Sequence, residues 1–199
     1  WIGILLSGCT TQPARSQMPA VAQAHIPIFE KHSEHPKVAL ILGSGGARGY
    51  AHIGVIQVLE QRGIKPDFIV GTSAGSIVGA LYASGKSGAE LEHIAMQLKP
   101  SDVRDFTLSL QGFFDGKKIE DYINALVDYK HLEQLQIPLY IVATELKEGK
   151  LVSFSKGNTG QAVRASTTIP SMFVPTKIGE TEYVDGGLVS PLPVKLARE

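Results

Sequence analysis

Cysteine is nearly absent: the 199 residues contain one, Cys9. No intramolecular disulfide can form, and thiolates cannot assemble a zinc cluster. A surplus of either charge is also missing, since 19 Lys and Arg offset 19 Asp and Glu. A balanced chain has no excess of cations with which to neutralise phosphates, so nucleic acid is not an expected partner. Internal repeats and low-complexity tracts do not occur. Histidine is missing from the last third, because all six lie at or before His131. What remains is an ordinary composition, 43% hydrophobic and 19% charged, suited to one well-cored domain plus an appendage.

The appendage comes first. Trp1-Ile2-Gly3-Ile4-Leu5-Leu6-Ser7-Gly8-Cys9 is an apolar run too short to span a bilayer. It is similar to the end of a bacterial signal peptide, and Leu6-Ser7-Gly8-Cys9 matches a lipobox. On that reading residues 1–8 are a partial lipoprotein signal, cleaved before Cys9, which becomes the lipidated N-terminus. The alternative is a buried N-terminal strand with an incidental cysteine. An initiator Met and a basic leader are not present, so the chain is expected to lack its true start. Residues 9–36, rich in Gln, Ala, Pro, Ser and His without periodicity, read as a flexible tether after the lipidated cysteine. Acyl chains at ~0.8 kcal/mol per buried methylene would hold such a tether to a membrane. Thr10 stands where inner-membrane lipoproteins carry a retaining Asp. The expected location is therefore the bacterial cell envelope, lipid-anchored to the outer membrane and facing the periplasm.

The domain, residues 37–199, is organised around Phe68-Ile69-Val70-Gly71-Thr72-Ser73-Ala74-Gly75-Ser76. An apolar run enters G-x-S-x-G and a helix-forming stretch follows, the pattern of a nucleophile elbow with Ser73 at its apex. Gly71 and Gly75 leave room where adjoining backbone must pass closely. Ser73 would stand at a helix N-terminus, where free N–H groups favour developing negative charge. The motif alone also fits a strand-to-helix turn chosen only for close packing.

Upstream, Val38 to Leu42 reads as a strand buried on both faces, followed by Gly43-Ser44-Gly45-Gly46-Ala47-Arg48-Gly49 and a helix from Tyr50 to about Gln61. The glycine spacing is G-x-G-x-x-x-G, and no acidic residue ends a second strand in the expected place, so a dinucleotide fingerprint is not met. No Gly-Lys-Ser/Thr follows, which excludes a P-loop. An oxyanion hole fits better, because bare glycine amides can point at a carbonyl oxygen that gains charge during acyl transfer, each worth roughly 3 kcal/mol. Arg48 would fix this loop, add positive potential, or serve as a solvated charge.

Beyond the elbow, Ala89 to Leu98 reads as a helix closed by Pro100, and Ile119 to Val127 as another. The aromatic stretch Phe106 to Phe114 is a lid, a groove wall for acyl chains, or a core-packing loop. Pro138 to Thr144 is a buried strand with Leu151 to Phe154 pairing beside it, and a helix begins at Gln161. Glu182-Tyr183-Val184-Asp185-Gly186-Gly187 is a short strand ending in Asp-Gly-Gly. A hydrolytic serine needs a base, usually a histidine after the acid in chain order. None follows Asp185, and His52 is expected to pack on its helix. Asp185 itself is the expected base, although the same residue also fits a turn carboxylate before two glycines. An exposed Asp, with a pKa of about 3.9, is a poor base, so the role needs a dehydrated site against the serine.

Gly43 to Gly49, Gly71-Thr72-Ser73-Ala74-Gly75 and Asp185-Gly186-Gly187, in that order and with Ala165-Ser166 and Ile169-Pro170, resemble the patatin-like phospholipase family from about Lys37 onward. The resemblance implies an α/β fold, a three-layer α/β/α patatin-like arrangement around a mostly parallel sheet, and a Ser–Asp dyad that hydrolyses lipid acyl esters without a metal or cofactor. It implies Ser73 as nucleophile, Asp185 as base, Gly45 and Gly46 N–H groups as oxyanion hole, and Arg48 in the family's basic position. Ser44 departs from the glycine of plant members and leaves the later donors intact. The family would continue past Glu199 with at least one more strand, so the domain is expected to be incomplete there. The implied substrate is a phospholipid or another acyl ester at a membrane. The alternatives are a carboxylesterase or thioesterase on soluble esters, and a non-catalytic lipoprotein that binds lipid or a partner in the same cleft.

Overall fold

The computed structural model describes residues 37–103, 109 and 111–198. Residues 1–8, Cys9 and the 9–36 segment lie outside the described residues, as do Phe106 and its neighbours at 104–108 and 110. Six described strands form one mixed sheet. β1 (Ala39–Leu42), β2 (Phe68–Thr72) and β3 (Leu139–Glu145) run parallel. β4 (Lys150–Phe154) is antiparallel to β3, β6 (Thr181–Asp185) is antiparallel to β3, and β5 (Thr176–Ile178) is antiparallel to β6. Four of the six, β1, β2, β3 and β5, therefore point the same way.

β2 shows why the sheet sits between layers. All five of its residues are buried, as a strand covered on both faces requires. With a period of two, Ile69 joins the larger core with Leu42, Leu139 and Ile141, while Phe68 and Val70 face Val142 and Leu196 on the other side. The larger core is roofed by α1 (Tyr50–Gln61), α2 (Ala74–Ala83), α3 (Gly88–Gln97), α5 (Lys117–Leu126) and α6 (Thr159–Thr167). α7 (Val194–Arg198) carries Leu196 and supplies the third layer.

Local signals set most boundaries. α3 starts on a capping box, in which the Ser87 hydroxyl accepts from Glu90 N and the Glu90 carboxylate accepts from Ser87 N. Asn158 Oδ1 accepts from Gln161 N at 2.8 Å and starts α6. Pro100 does not close α3. That helix ends at Gln97, and Pro100 opens a short helix α4 (Pro100–Val103), since a first-turn position has no N–H to lose.

The register of β3 places the chain for chemistry. Residues 141 and 142 pair with β2 and β4 together, and 143–145 with β4 and β6 together. A strand has two edges, so β2 and β6 share one of them. Thr72 ends β2 opposite Val142, and Asp185 ends β6 opposite Ala143. The two strands meet tip to tip, and Ser73 and Asp185 leave from the same point.

Candidate active site

Ser73 lies between β2 and α2 with φ 52° and ψ −120°, a region that L-residues rarely occupy. Holding it there costs of order 1–3 kcal/mol, so surrounding contacts must enforce it. The elbow is threaded tightly enough to do so. A Cβ on Gly75 would stand 2.0 Å from Leu42 O, and one on Gly71 would stand 2.7 Å from Gly75 O. The serine carbonyl is anchored as well, accepting from Ser76 N at 2.8 Å and from Ser76 Oγ at 2.6 Å.

Across from it, Ser73 Oγ donates to Asp185 Oδ2 at 2.6 Å, and both residues are only 7% exposed. The other carboxylate oxygen accepts from Gly187 N at 2.7 Å. Gly186 lets the turn close, since a Cβ there would meet Val142 O at 2.3 Å. Burial pushes the Asp185 carboxyl above its ordinary value, outweighing the hydrogen bonds from Ser73 and Gly187, which favour the charged form. A more basic carboxylate in contact with a hydroxyl can accept its proton as that oxygen attacks.

The glycine loop closes the third side. Ser44 N donates to Pro191 O at 2.8 Å, and a Cβ on Gly43 would come within 2.9 Å of the same oxygen. Residues Gly46–Gly49 form a 3₁₀ turn, and a Cβ on Gly49 would meet Ala74 Cβ at 2.7 Å, so the turn lies against the first residue of α2. Gly187 abuts the same loop, where a Cβ would stand 3.2 Å from Ser44 Cβ. Among the described residues, no acceptor takes the N–H of Gly45 or of Gly46, which leaves both able to bond an oxyanion. Arg48 N donates to Gly45 O, but the exposed guanidinium has no ion-pair or hydrogen-bond partner among the described residues and does not fix the loop. His52 Nε2 bonds Gly43 O at 2.9 Å, so it supports the loop from α1. No group of three or more His, Cys, Asp or Glu that could hold a metal ion occurs among the described residues.

A family model described as Patatin-like phospholipase matches residues 40–198. The chain belongs to the patatin-like phospholipase family. It is 41% identical over 180 residues to an uncharacterized NTE family protein of Mycobacterium tuberculosis, covering 89% of this chain and 49% of that one. It is 34% identical over 170 residues to human patatin-like phospholipase domain-containing protein 6, covering 81% of this chain and 12% of that one. The chain thus spans about half the length of the first of these relatives or less. Among solved structures, VipD from Legionella pneumophila superposes with a TM-score of 0.58 at 15% identity, covering 89% of this chain and 51% of that one. The type III effector ExoU gives 0.51 at 20% identity, covering 66% and 40%. These two likenesses bear on the three-layer fold.

Within this patatin-like frame, some contacts around the site carry no signal in the sequence. Ser166, on α6, accepts from Ser73 N at 2.8 Å and donates to Val142 O at 2.6 Å, tying elbow, helix and sheet together. Thr168 O accepts from Asp185 N at 2.8 Å, and Thr144 Oγ1 donates to Asp185 O at 2.9 Å. Ala74 N–H also has no acceptor among the described residues. The residue after an elbow serine is a usual oxyanion donor, so this one was discoverable from the motif. Behind α6, Arg164 Nη1 donates to Glu120 Oε2 at 3.2 Å, while Nη2 bonds the Asp115 carboxylate and, at 2.9 Å, Asp115 O. The described end of the aromatic stretch is held by its backbone, with Phe113 N and Phe114 N both donating to Met172 O and Val174 N to Phe114 O, while Phe113 itself is 67% exposed.

Proposed function

We propose that the chain is a serine acyl hydrolase acting on lipid carboxylic esters, of phospholipase A type, with Ser73 as nucleophile and Asp185 as general base. The observation that carries this reading is the 2.6 Å bond from Ser73 Oγ to Asp185 Oδ2, made by a strained elbow serine and a buried carboxylate. Members of the matched family are lipid acyl hydrolases, which supports the same substrate class.

In the proposed reaction Asp185 Oδ2 takes the Ser73 proton as Oγ bonds the ester carbonyl carbon. The carbonyl oxygen becomes an oxyanion held by the N–H groups of Gly45 and Gly46, with Ala74 N–H as a further donor and Arg48 adding positive potential. Collapse breaks the bond to the leaving alcohol, which receives the proton from Asp185. Water then attacks the acyl-enzyme, giving a proton to Asp185. The second collapse returns that proton to Ser73 and frees the carboxylic acid. Cys9, read as a lipid-attachment site, would tether this chemistry to the bacterial outer membrane on its periplasmic side. Incorporation of labelled palmitate that Cys9→Ser abolishes is the expected outcome there.

The test is labelling by a fluorophosphonate, comparing wild type with folded Ser73→Ala and Asp185→Asn. Labelling should require both residues, and phospholipid vesicles should release fatty acid. Turnover of soluble short esters with no gain at vesicles would favour a carboxylesterase or thioesterase. A folded wild type that never labels would overturn the hydrolase reading in favour of a binding lipoprotein.

A further inference from the structure

An apolar cavity of about 230 Å³ opens beside the site, and it is not part of the dyad or of the glycine loop's bonding. Its lining starts at Gly46, Ala47 and Ala74, the 3₁₀ turn and the residue after the elbow serine. From Ala74 it continues along one face of α2 through Ile77, Val78 and Leu81, at spacings of three, four and seven residues. At 1.5 Å per residue that stripe is about 10 Å long. α1, α3 and α5 supply more of its wall, and among the described residues the only lining ones with a polar side-chain group are Tyr50 and Tyr122.

We propose that this cavity receives the acyl chain of the ester and sets a preference for chains of about eight carbons. The inference rests on the reading of Ser73 as the nucleophile. The carbonyl carbon of the bound ester is then fixed at Ser73 with its oxygen toward the Gly45–Gly46 amides. Gly46 and Ala74, two of the residues whose N–H groups would hold that oxygen, are part of the cavity lining, so the chain on that carbon lies beside it. Among the described residues no charged side chain lines the cavity, so a phosphorylated head group gains nothing from them and loses its hydration. A hydrocarbon chain loses only water. With C–C bonds of ~1.5 Å the zigzag advances roughly 1.3 Å per carbon, and about eight carbons fill 10 Å.

The test holds the leaving group constant as p-nitrophenol and varies the acyl chain from acetyl to palmitoyl, using the 199-residue chain. The expected kcat/KM rises by up to about fourfold per methylene to about octanoyl, then levels or falls. Val78→Phe, which fills the cavity one turn from Ala74, should lower the octanoyl-to-acetyl ratio at least tenfold. Leu81→Ala, which lengthens the cavity, should move the optimum toward longer chains. A ratio that neither variant changes, or a rise that continues unbroken to palmitoyl, overturns the inference while leaving the hydrolase intact. A break that depends instead on the length of the alcohol, with acetyl held constant, overturns it in favour of a leaving-group site. Should no ester turn over, the hydrolase reading fails, and calorimetry with octanoate decides the cavity. Binding that Val78→Phe abolishes supports the chain site, and absence of binding overturns it.

Discussion

Replacing Ser166 by alanine should disable the site without touching either reacting group. The Ser166 hydroxyl is the only described acceptor for the Ser73 N–H, at 2.8 Å, and it donates to Val142 O at 2.6 Å. Both Ser166 and Val142 are fully buried, so bulk water does not replace the lost partner. A buried N–H left without an acceptor costs about 1–3 kcal/mol, and the lost donor at Val142 O adds about 1 kcal/mol. Together the expected loss is ~2–4 kcal/mol, a large share of the 5–15 kcal/mol typical of a domain. The second consequence is kinetic. Ser73 sits at φ 52° only because its neighbours hold it, and the N–H anchor is one of the holds. Released, the elbow relaxes and Oγ leaves its position against Asp185. A displacement near 1 Å is worth about 10²-fold, and it should fall on kcat with KM little changed. Urea unfolding reads the first effect, and ester turnover at saturating substrate reads the second. A Ser166→Ala protein within about 0.5 kcal/mol of wild type, turning over at an unchanged rate, would refute both steps of this reasoning.

Four further outcomes follow from the structure. Burial raises the Asp185 carboxyl above its ordinary value, so the folded state prefers it protonated; that contribution is complete below the unfolded value near 3.8 and is lost as pH rises through the folded one. At pH 7 wild type therefore bears the cost of a buried carboxylate. Asp185→Asn should melt higher than wild type at neutral pH, with the gap narrowing toward pH 4, while its ester turnover is lost. Because the proposed base works only when ionised, the acid limb of wild-type kcat/KM should lie above the range of an exposed aspartate, which a pH–rate profile measures. Gly75→Ala places a methyl 2.0 Å from Leu42 O in backbone that cannot yield, so this variant should fail to give soluble folded protein, as gel filtration and circular dichroism would read. Arg164→Met should cost about 3 kcal/mol in urea unfolding, because Glu120, whose side chain is 10% exposed, keeps only Lys117 as a cationic partner among the described residues.

How much of this was legible depended on where the information lay. α1 was read with its bounds intact, because a glycine loop precedes it and Gly63 follows it, with Ile53 and Ile56 marking the buried face. The strands β2 and β3 announce themselves as apolar runs, since both of their faces are covered. β1, expected to be buried on both faces, is only half-buried at Ala39, Leu40 and Ile41 because it ends the described sheet. β5 escaped because three residues with Lys177 in the middle carry no periodicity; it is a strand because β6 lies beside it. Pro100 was misjudged for a local reason, since a proline that ends one helix is equally able to begin the next. Ser166 was seen as part of a motif but not as an anchor, because its partner is 93 residues away. Elimination of histidine points to Asp185 as a candidate base, whereas its contact with Ser73 is a property of the β3 edge.

On the proposed reading, that shared edge lets an aspartate stand where a histidine usually does. A histidine base needs a third group to orient its ring. Asp185 needs none, because its backbone is already fixed on both sides, by the ladder to β3 and by Thr168 O and Thr144 Oγ1. Gly187 N then holds one carboxylate oxygen, which leaves Oδ2 aimed at the serine. The remaining deficit is basicity, and the same tip-to-tip meeting of β2 and β6 supplies it by excluding water. Strain at Ser73 and desolvation at Asp185 are both unfavourable to folding, and both arise at the one place where two strands end against a third. The sheet and the α2–α6 packing offset them. It follows that substitutions which remove the strain or the buried charge without unpairing a buried polar group should stabilise the fold and slow the chemistry together, and those which, like Ser166→Ala, unpair one or loosen the packing should lower both.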